Sequence, residues 1–296
     1  MIQTTVVIPS RNEIFLQKTI DDIFEKATKD IEVIAVLDGY WPNPPLKDVK
    51  NLTIVHVTEA QGMRPAINAA ARIANGKYLM KLDAHCMLDK GFDEKMAADC
   101  DVDWVSIPRR YSLDAENWVI ANTGRQPVDA HYLTYPYLKP DEIGMHGDVW
   151  KERAAANINT PILDEMSSQG SCWFMHKDYF WKFGGMSCAG YGNFVQEAQE
   201  ICNRAWLSGG RVICNKNTWY AHLHKGKKYG RGYYISKPKM IDGAVFSADY
   251  WMGNTPFKGK IHDIGWLVEK FWPVPTWPNN WRELELARIN SKQIQS

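Results

Sequence analysis

The first 85 residues constrain the fold most. Short apolar, β-branched runs alternate there with helix-like stretches, and each run stops at a polar cluster. Residues 4–8 are ended by Pro9 and followed by Ser10-Arg11-Asn12-Glu13. Leu16, Ile20, Ile23, Phe24 and Ala27 then share one helical face, with Asn12 placed to cap that helix. A second run, 31–37, closes at Asp38-Gly39, and Pro42, Pro44 and Pro45 enforce a loop. A third covers 52–57. Gly62-Met63-Arg64-Pro65 opens an alanine-rich helix that stops at Gly76. The fourth run begins at Tyr78 and leads into Lys81-Leu82-Asp83-Ala84-His85. Strands alternating with helices predict an α/β fold, a mostly parallel sheet flanked by helices on both faces. Ligands of such sheets bind outside the carboxyl ends of the strands, where the clusters at 9–11, 38–39 and 83–85 all lie.

Beyond residue 85 the pattern loosens. Residues 86–107 hold a helix and a further strand at 104–107, while 109–166 is polar, rich in aromatics and aperiodic, which reads as loops. Residues 171–176 return to the sheet and 177–183 form a short helix ended by Gly184-Gly185. A helix spans 197–207, Gly209-Gly210 stops it, and 211–214 is a strand. From 241 onward five Trp and four Pro change the composition, with a helix-like stretch at 281–290. The chain is thus expected to divide into a main domain, 1–240, with halves 1–107 and 108–240, and a small Trp/Pro-rich C-terminal appendage, 241–296.

The net charge of +1 offers no global field for nucleic acid or an acidic surface. Six Cys without a C-x-x-C pattern read as free thiols in a reducing compartment. The N-terminus does not read as a signal peptide and no run approaches membrane-spanning length, so a cytoplasmic protein without membrane contact is expected. The 13 Trp and 13 Tyr exceed ordinary core needs, and such rings stack on sugars or bases.

Asp83 and His85 stand two residues apart. In extended chain they project from one face, a carboxylate beside an imidazole, and that pair suits a divalent cation. Taken alone, it is equally a surface aspartate beside a core histidine. A third ligand is available in Ala221-His222-Leu223-His224-Lys225, from either His222 or His224. Imidazole donors move the preference from Mg²⁺ toward Mn²⁺. Glu197 begins a helix after a Gly-containing loop. A carboxylate there can take a proton or stabilise developing positive charge, or it can simply complement the helix dipole. Glu200 is the alternative, one turn on. Between 216 and 239 there are seven Lys or Arg, no Asp or Glu, and four Tyr. That stretch reads as a lid over a phosphate-bearing ligand, hinged at Gly226, Gly230 and Gly232, or as a surface for nucleic-acid backbone and bases.

Taken in order, these motifs resemble glycosyltransferases of the GT-A fold. Val6-Val7-Ile8-Pro9-Ser10-Arg11-Asn12-Glu13 resembles the opening strand of the family that includes cellulose and chitin synthases. Val36-Leu37-Asp38-Gly39 resembles its second nucleotide-contacting turn, and Gly62-Met63-Arg64 with Asn68-Ala69-Ala70 the helix before its metal motif. Asp83-Ala84-His85 matches the D-x-D position in the D-x-H form of the polypeptide N-acetylgalactosaminyltransferases. Gln169-Gly170-Ser171-Cys172-Trp173-Phe174 resembles an acceptor-side strand of those enzymes. Glu197-Ala198-Gln199-Glu200-Ile201, with Arg204 and Trp206, is similar in spacing to their W-G-G-E-N-x-E-I helix. Two departures stand out: Tyr191-Gly192-Asn193-Phe194 replaces W-G-G, and Ala198 replaces Asp or Asn. Ala221-His222-Leu223-His224-Lys225 resembles their G-H-V-F-R segment, which selects His222 as the third metal ligand.

The resemblance implies a GT-A (Rossmann-like) hexosyl- or pentosyltransferase. It would move a sugar from a nucleotide-sugar, UDP-linked, to an acceptor hydroxyl. It implies Mn²⁺ or Mg²⁺ on Asp83, His85 and His222, and Glu197 as the catalytic carboxylate. Pro9, Arg11, Glu13, Asp38, Gly62, Arg64, Lys225 and Tyr229 would hold the nucleotide-sugar. The first half then carries the donor and the second the acceptor. Two other readings stay open. One is glycosyl transfer to hydroxylated bases of DNA through 216–239. The other is a nucleotidylyltransferase, whose Gly-rich loop after the first strand Pro9-Ser10-Arg11-Asn12 does not match.

Overall fold

A computed structural model describes residues 1–139, 143–192 and 194–295, apart from the side chains of 289 and 291–295. The chain runs β1 (Thr4–Ser10), α1 (Leu16–Lys26), β2 (Ile31–Asp38), β3 (Leu52–Val57), α2 (Met63–Ile73), β4 (Tyr78–Leu82), β5 (Cys86–Leu88), α3 (Phe92–Ala98) and β6 (Trp104–Asp114). It continues through β7 (Val119–Ile120), β8 (His131–Leu133), β9 (Gly147–Val149), α4 (Lys151–Ala156), β10 (Ile162–Asp164), β11 (Cys172–His176), α5 (Lys177–Lys182) and α6 (Glu197–Leu207). It ends with β12 (Arg211–His222), α7 (Gly226–Tyr229), α8 (Lys237–Met252), α9 (Ile264–Lys270) and α10 (Trp281–Gln295).

The main sheet has the order β10-β12-β6-β11-β4-β1-β2-β3. β1 pairs in parallel with β2 and β4, and β2 in parallel with β3. β2 is buried at all eight positions, as a strand covered on both faces must be. β11 enters between β4 and β6, antiparallel to both, and β12 runs parallel to β6. Alternate residues of β1 feed two cores. Val6 and Ile8 pack with Ile20, Ile23, Met80 and Phe92 on one face. Val7 packs with Ile34, Ile67, Trp173 and Phe180 on the other.

α6 is buried along all eleven residues. Trp206, near its end, lies 5.5 Å from the Phe271 ring and 6.5 Å from that of Trp266. Trp251, Leu267, Val268, Phe271, Trp277 and Trp281 join the same apolar cluster as Trp173 and Trp206. The compositional change at 241 therefore does not coincide with a break in the chain. The 240/241 division falls inside α8, and side chains between Trp251 and Trp281 complete the core around α6. Among the described residues, no helix is long and apolar enough to cross a membrane.

Three local expectations differ from the structure. Asn12 does not cap α1, which starts after Phe15 with no side-chain cap; its amide donates instead to Gly232 O at 2.6 Å. β6 and β12 run on beyond 107 and 214, because a register shift between Asn215 and Trp219 lets the pair continue to Ser112 and His222. Short strands and a helix occupy much of 109–166. Their irregular spacing leaves no period for the sequence to display.

Candidate functional site

The carboxyl ends of β1, β2 and β4 open on one cavity of about 940 Å³, closed on the other side by the 169–171 segment, the start of α6 and residues 230–240. Asp83-Ala84-His85 is not a strand but the turn that joins β4 to β5. It converges all the same: Asp83 Oδ2 is 3.9 Å from His85 Nε2. β5 pairs with the end of β12, setting His222 opposite Cys86. That register carries His222 Nε2 to 3.3 Å from the same Asp83 oxygen. The three residues offer donor atoms all within 4.8 Å of one another, the one such group among the described residues. His224, two residues on, is exposed and stands outside it.

The group suits a cation by its chemistry. His222 is buried, its Nδ1 has no hydrogen-bond partner and its Nε2 has only Asp83 Oδ2, at 3.3 Å, a costly state for a polar group unless a ligand completes it. Burial also pulls its pKa down to about 4, against the pull of Asp83, so the imidazole stays neutral with its lone pair available. Glu13 Oε2 faces His85 Nδ1 at 3.2 Å, a carboxylate behind a histidine that leaves Nε2 for the cation. The other Glu13 oxygen takes Lys225. Burial would raise the Glu13 pKa, but His85 and Lys225 outweigh it and the group lies below its ordinary value.

Asp83 is held by a residue that the sequence reading passed over. Lys81, 1% exposed, donates to Asp83 Oδ1 at 2.5 Å and to Gly170 O, and lies 3.7 Å from Glu197 Oε2. Burial alone would raise the Asp83 pKa, but Lys81 and the two imidazoles hold it far below the usual carboxylate range. Lys81, placed between two carboxylates, stays charged. A lysine inside the otherwise apolar run Tyr78-Leu79-Met80-Lys81-Leu82 was the available signal.

Glu197 lines the cavity, and Trp173 Nε1 donates to its Oε1. Burial raises its pKa despite Lys81 and Trp173, which makes the carboxylate a better proton acceptor than an ordinary one. Gly170 is required beside it. Its φ is +86°, and a Cβ there would come within 2.7 Å of Glu197 Oε2.

Of the residues expected to hold the nucleotide-sugar, Pro9, Arg11, Glu13, Asp38, Gly62 and Lys225 line the cavity. Asp38 is pinned by Arg11, by Gln61 N at 2.6 Å and by Gly62 N at 2.9 Å. Arg64 does not belong with them. The first turn of α2 aims it inward, where it is 0% exposed, paired with Glu200 and stacked 4.1 Å over Tyr191. Glu200 is accordingly a structural partner, not the alternative to Glu197. Tyr229 also lies off the cavity wall, its hydroxyl 3.1 Å from Glu116 and its ring on Phe15. In the basic stretch, Lys225 faces Glu13, Lys228 faces Glu116 and Lys216 lies 3.6 Å from Asp129. Those acids lie outside 216–239, so the stretch is much less cationic in the fold than in the sequence. Of the segment in the W-G-G position, Tyr191, Gly192 and Phe194 line the cavity, and Asn193 lies outside the described residues.

A mostly parallel sheet, an Asp-x-His turn after β4 and a buried carboxylate across the cavity fit a glycosyltransferase of the GT-A fold, the class that draws its sugar from a nucleotide-sugar. The chain belongs to glycosyl transferase family 2, whose profile matches residues 5–183. It is similar to "Probable N-acetylgalactosaminyltransferase 8" of Caenorhabditis elegans, 25% identical over 259 residues, covering 82% of this chain and 54% of that protein. Its fold is similar to that in "Crystal structure of GalNAc-T7 with UDP, GalNAc and Mn2+", with TM-score 0.65 and 15% identity, covering 91% of this chain and 54% of that one. The chain thus spans about half the length of both.

Proposed function

We propose that this chain transfers a sugar from a UDP-linked donor to an acceptor hydroxyl, with Mn²⁺ ahead of Mg²⁺ on Asp83, His85 and His222. The observation that carries this reading is the convergence of those three residues on the cavity, with their donor atoms all within 4.8 Å of one another. The solved neighbour with UDP and Mn²⁺ supports it. A bound cation there supplies charge neutralisation to the departing nucleoside diphosphate. The chain's own residues supply the rest. Asp38, fixed by Arg11 and the 61–62 backbone, lies at the nucleotide end of the cavity. Glu13 orients His85 and holds Lys225 beside the diphosphate position. Glu197 receives the acceptor proton or orients the acceptor, in a site whose burial raises its basicity. Residues 230–240 shield the reacting groups from water.

A thermal-shift panel of nucleotide-sugars, each with Mn²⁺ and with EDTA, tests the donor without needing the acceptor. A ligand at about a hundred times its Kd stabilises by roughly 2.7 kcal/mol. The expected result is the largest shift for a UDP-sugar with Mn²⁺, lost on chelation. A UDP-sugar shift that EDTA leaves intact removes the metal; no shift from any UDP-sugar removes the donor assignment.

A further inference from the structure

We propose that Lys81 is a positioning residue that reserves one Asp83 oxygen for the cation and balances its charge, so that Mn²⁺ enters together with the nucleotide diphosphate and only weakly before it. The inference rests on the metal reading above and adds an order of binding to it.

The geometry divides the Asp83 carboxylate in two. Oδ1 is 2.5 Å from Lys81 Nζ. Oδ2 faces His222 Nε2 at 3.3 Å and His85 Nε2 at 3.9 Å. An oxygen held by an ammonium at that distance is not free to chelate, so Asp83 can offer the ion a single oxygen. Lys81 cannot swing away. Its three N–H groups face three acceptors, Asp83 Oδ1, Gly170 O and Glu197 Oε2, and the side chain is 1% exposed.

The protein's own donor set is then one carboxylate oxygen and two imidazoles. Its charge is reduced too, since Lys81 lies between Asp83 and Glu197 and Lys225 pairs with Glu13, two lysines against three carboxylates. A hard divalent ion prefers about six ligands, mostly oxygens, and a site with matching negative charge. A diphosphate supplies both what the donor set lacks in oxygens and what the lysines have removed in charge. The same ammonium touches the first residue of α6, so it also ties the metal turn to the opposite wall of the cavity.

The experiment is Mn²⁺ binding to the full chain, read from the free-ion EPR signal, with and without UDP. Wild type is compared with Lys81→Met and with Lys81→Met/Glu197→Gln. The double variant relieves the uncompensated buried carboxylate should the single one fail to fold by circular dichroism. Wild type should bind Mn²⁺ at least about tenfold more tightly with UDP than without. Removing the ammonium should tighten binding of Mn²⁺ alone by about tenfold or more, the scale of one unit charge acting near a divalent ion even in bulk water, and narrow the dependence on UDP. The proposal falls if wild type binds Mn²⁺ equally well without UDP, or if a folded Lys81→Met chain binds the lone ion no better than wild type. No Mn²⁺ binding under any condition overturns the metal reading itself, a different result from a bound ion indifferent to Lys81.

Discussion

Two groups of buried charges sit on either side of the start of α6, and they are built on opposite plans. Around Glu200 every carboxylate oxygen is taken: Arg64 and Arg204, the latter at 2.9 Å, pair with it, and Ser187 N reaches it at 3.2 Å. Arg64 is further tied to Ser187 O at 3.1 Å and Val195 O at 2.7 Å. Glu200 and Arg64 are both 0% exposed. Around Asp83 the arrangement stays incomplete, with a carboxylate 25% exposed and a neighbouring imidazole whose Nδ1 has no hydrogen bond. A network whose carboxylate is fully paired is a clamp: it ties Ser187 and Val195 to α2 and α6, with Arg64 Nε alone left without a hydrogen bond. An open one holds donor atoms in place for something the chain does not provide.

The contrast can be broken by substitution. Asp83→Ala should have the largest effect, a loss of transfer and of donor hydrolysis by about 10³-fold or more, because a metal is worth several kcal/mol in the transition state. Full activity of this variant with EDTA present would defeat the metal assignment. Glu197→Gln keeps the size of the side chain and should lose about 10²–10⁴ in turnover, with donor binding by calorimetry unchanged. An unaltered kcat takes Glu197 out of the site. Arg64→Met should act on stability instead, lowering ΔG of unfolding by about 3–5 kcal/mol because Glu200 is left buried and half-paired. If chemical denaturation shows no loss while donor KM rises, Arg64 belongs to the site after all. Tyr229→Phe should do least, with stability within about 0.5 kcal/mol of wild type and donor KM unchanged. A donor KM many times higher would return Tyr229 to the cavity wall.

The same contrast explains what could be read from the sequence. The donor half is built from consecutive elements, so strand ends at Ser10, Asp38 and Leu82 are visible as polar stops after apolar runs, and the binding edge follows from topology. His222 came from the ordered likeness of motifs, and β5 pairing realises it. Arg64 lies off the cavity, and a local pattern places a residue in the first turn of α2 without saying which way that turn faces. Asp83 and His85 meet through a turn rather than a strand. The pairing was legible, but its geometric reason was not. Lys81 stayed invisible because a lysine reads as solvated unless its carboxylate partners are known, and one of them, Glu197, is 116 residues away. At 240/241 the composition changes while α8 continues, because composition does not report where a helix ends.

The antiparallel entry of β11 between β4 and β6 has a consequence for how such a chain can change. Cys172 pairs with Leu82, so the segment before β11 is delivered to the same rim from which Asp83 emerges. One side of the cavity is therefore drawn mostly from residues 9–85, joined by His222 and Lys225, and the other is stitched from pieces before β11, at the start of α6 and after β12. The piece before β11 can be exchanged without redrawing the first side. Chimeras that replace 115–168 and spare Gly170, which Lys81 and Glu197 contact, are expected to keep the donor while gaining a different acceptor, a route to new specificity that leaves the chemistry in place.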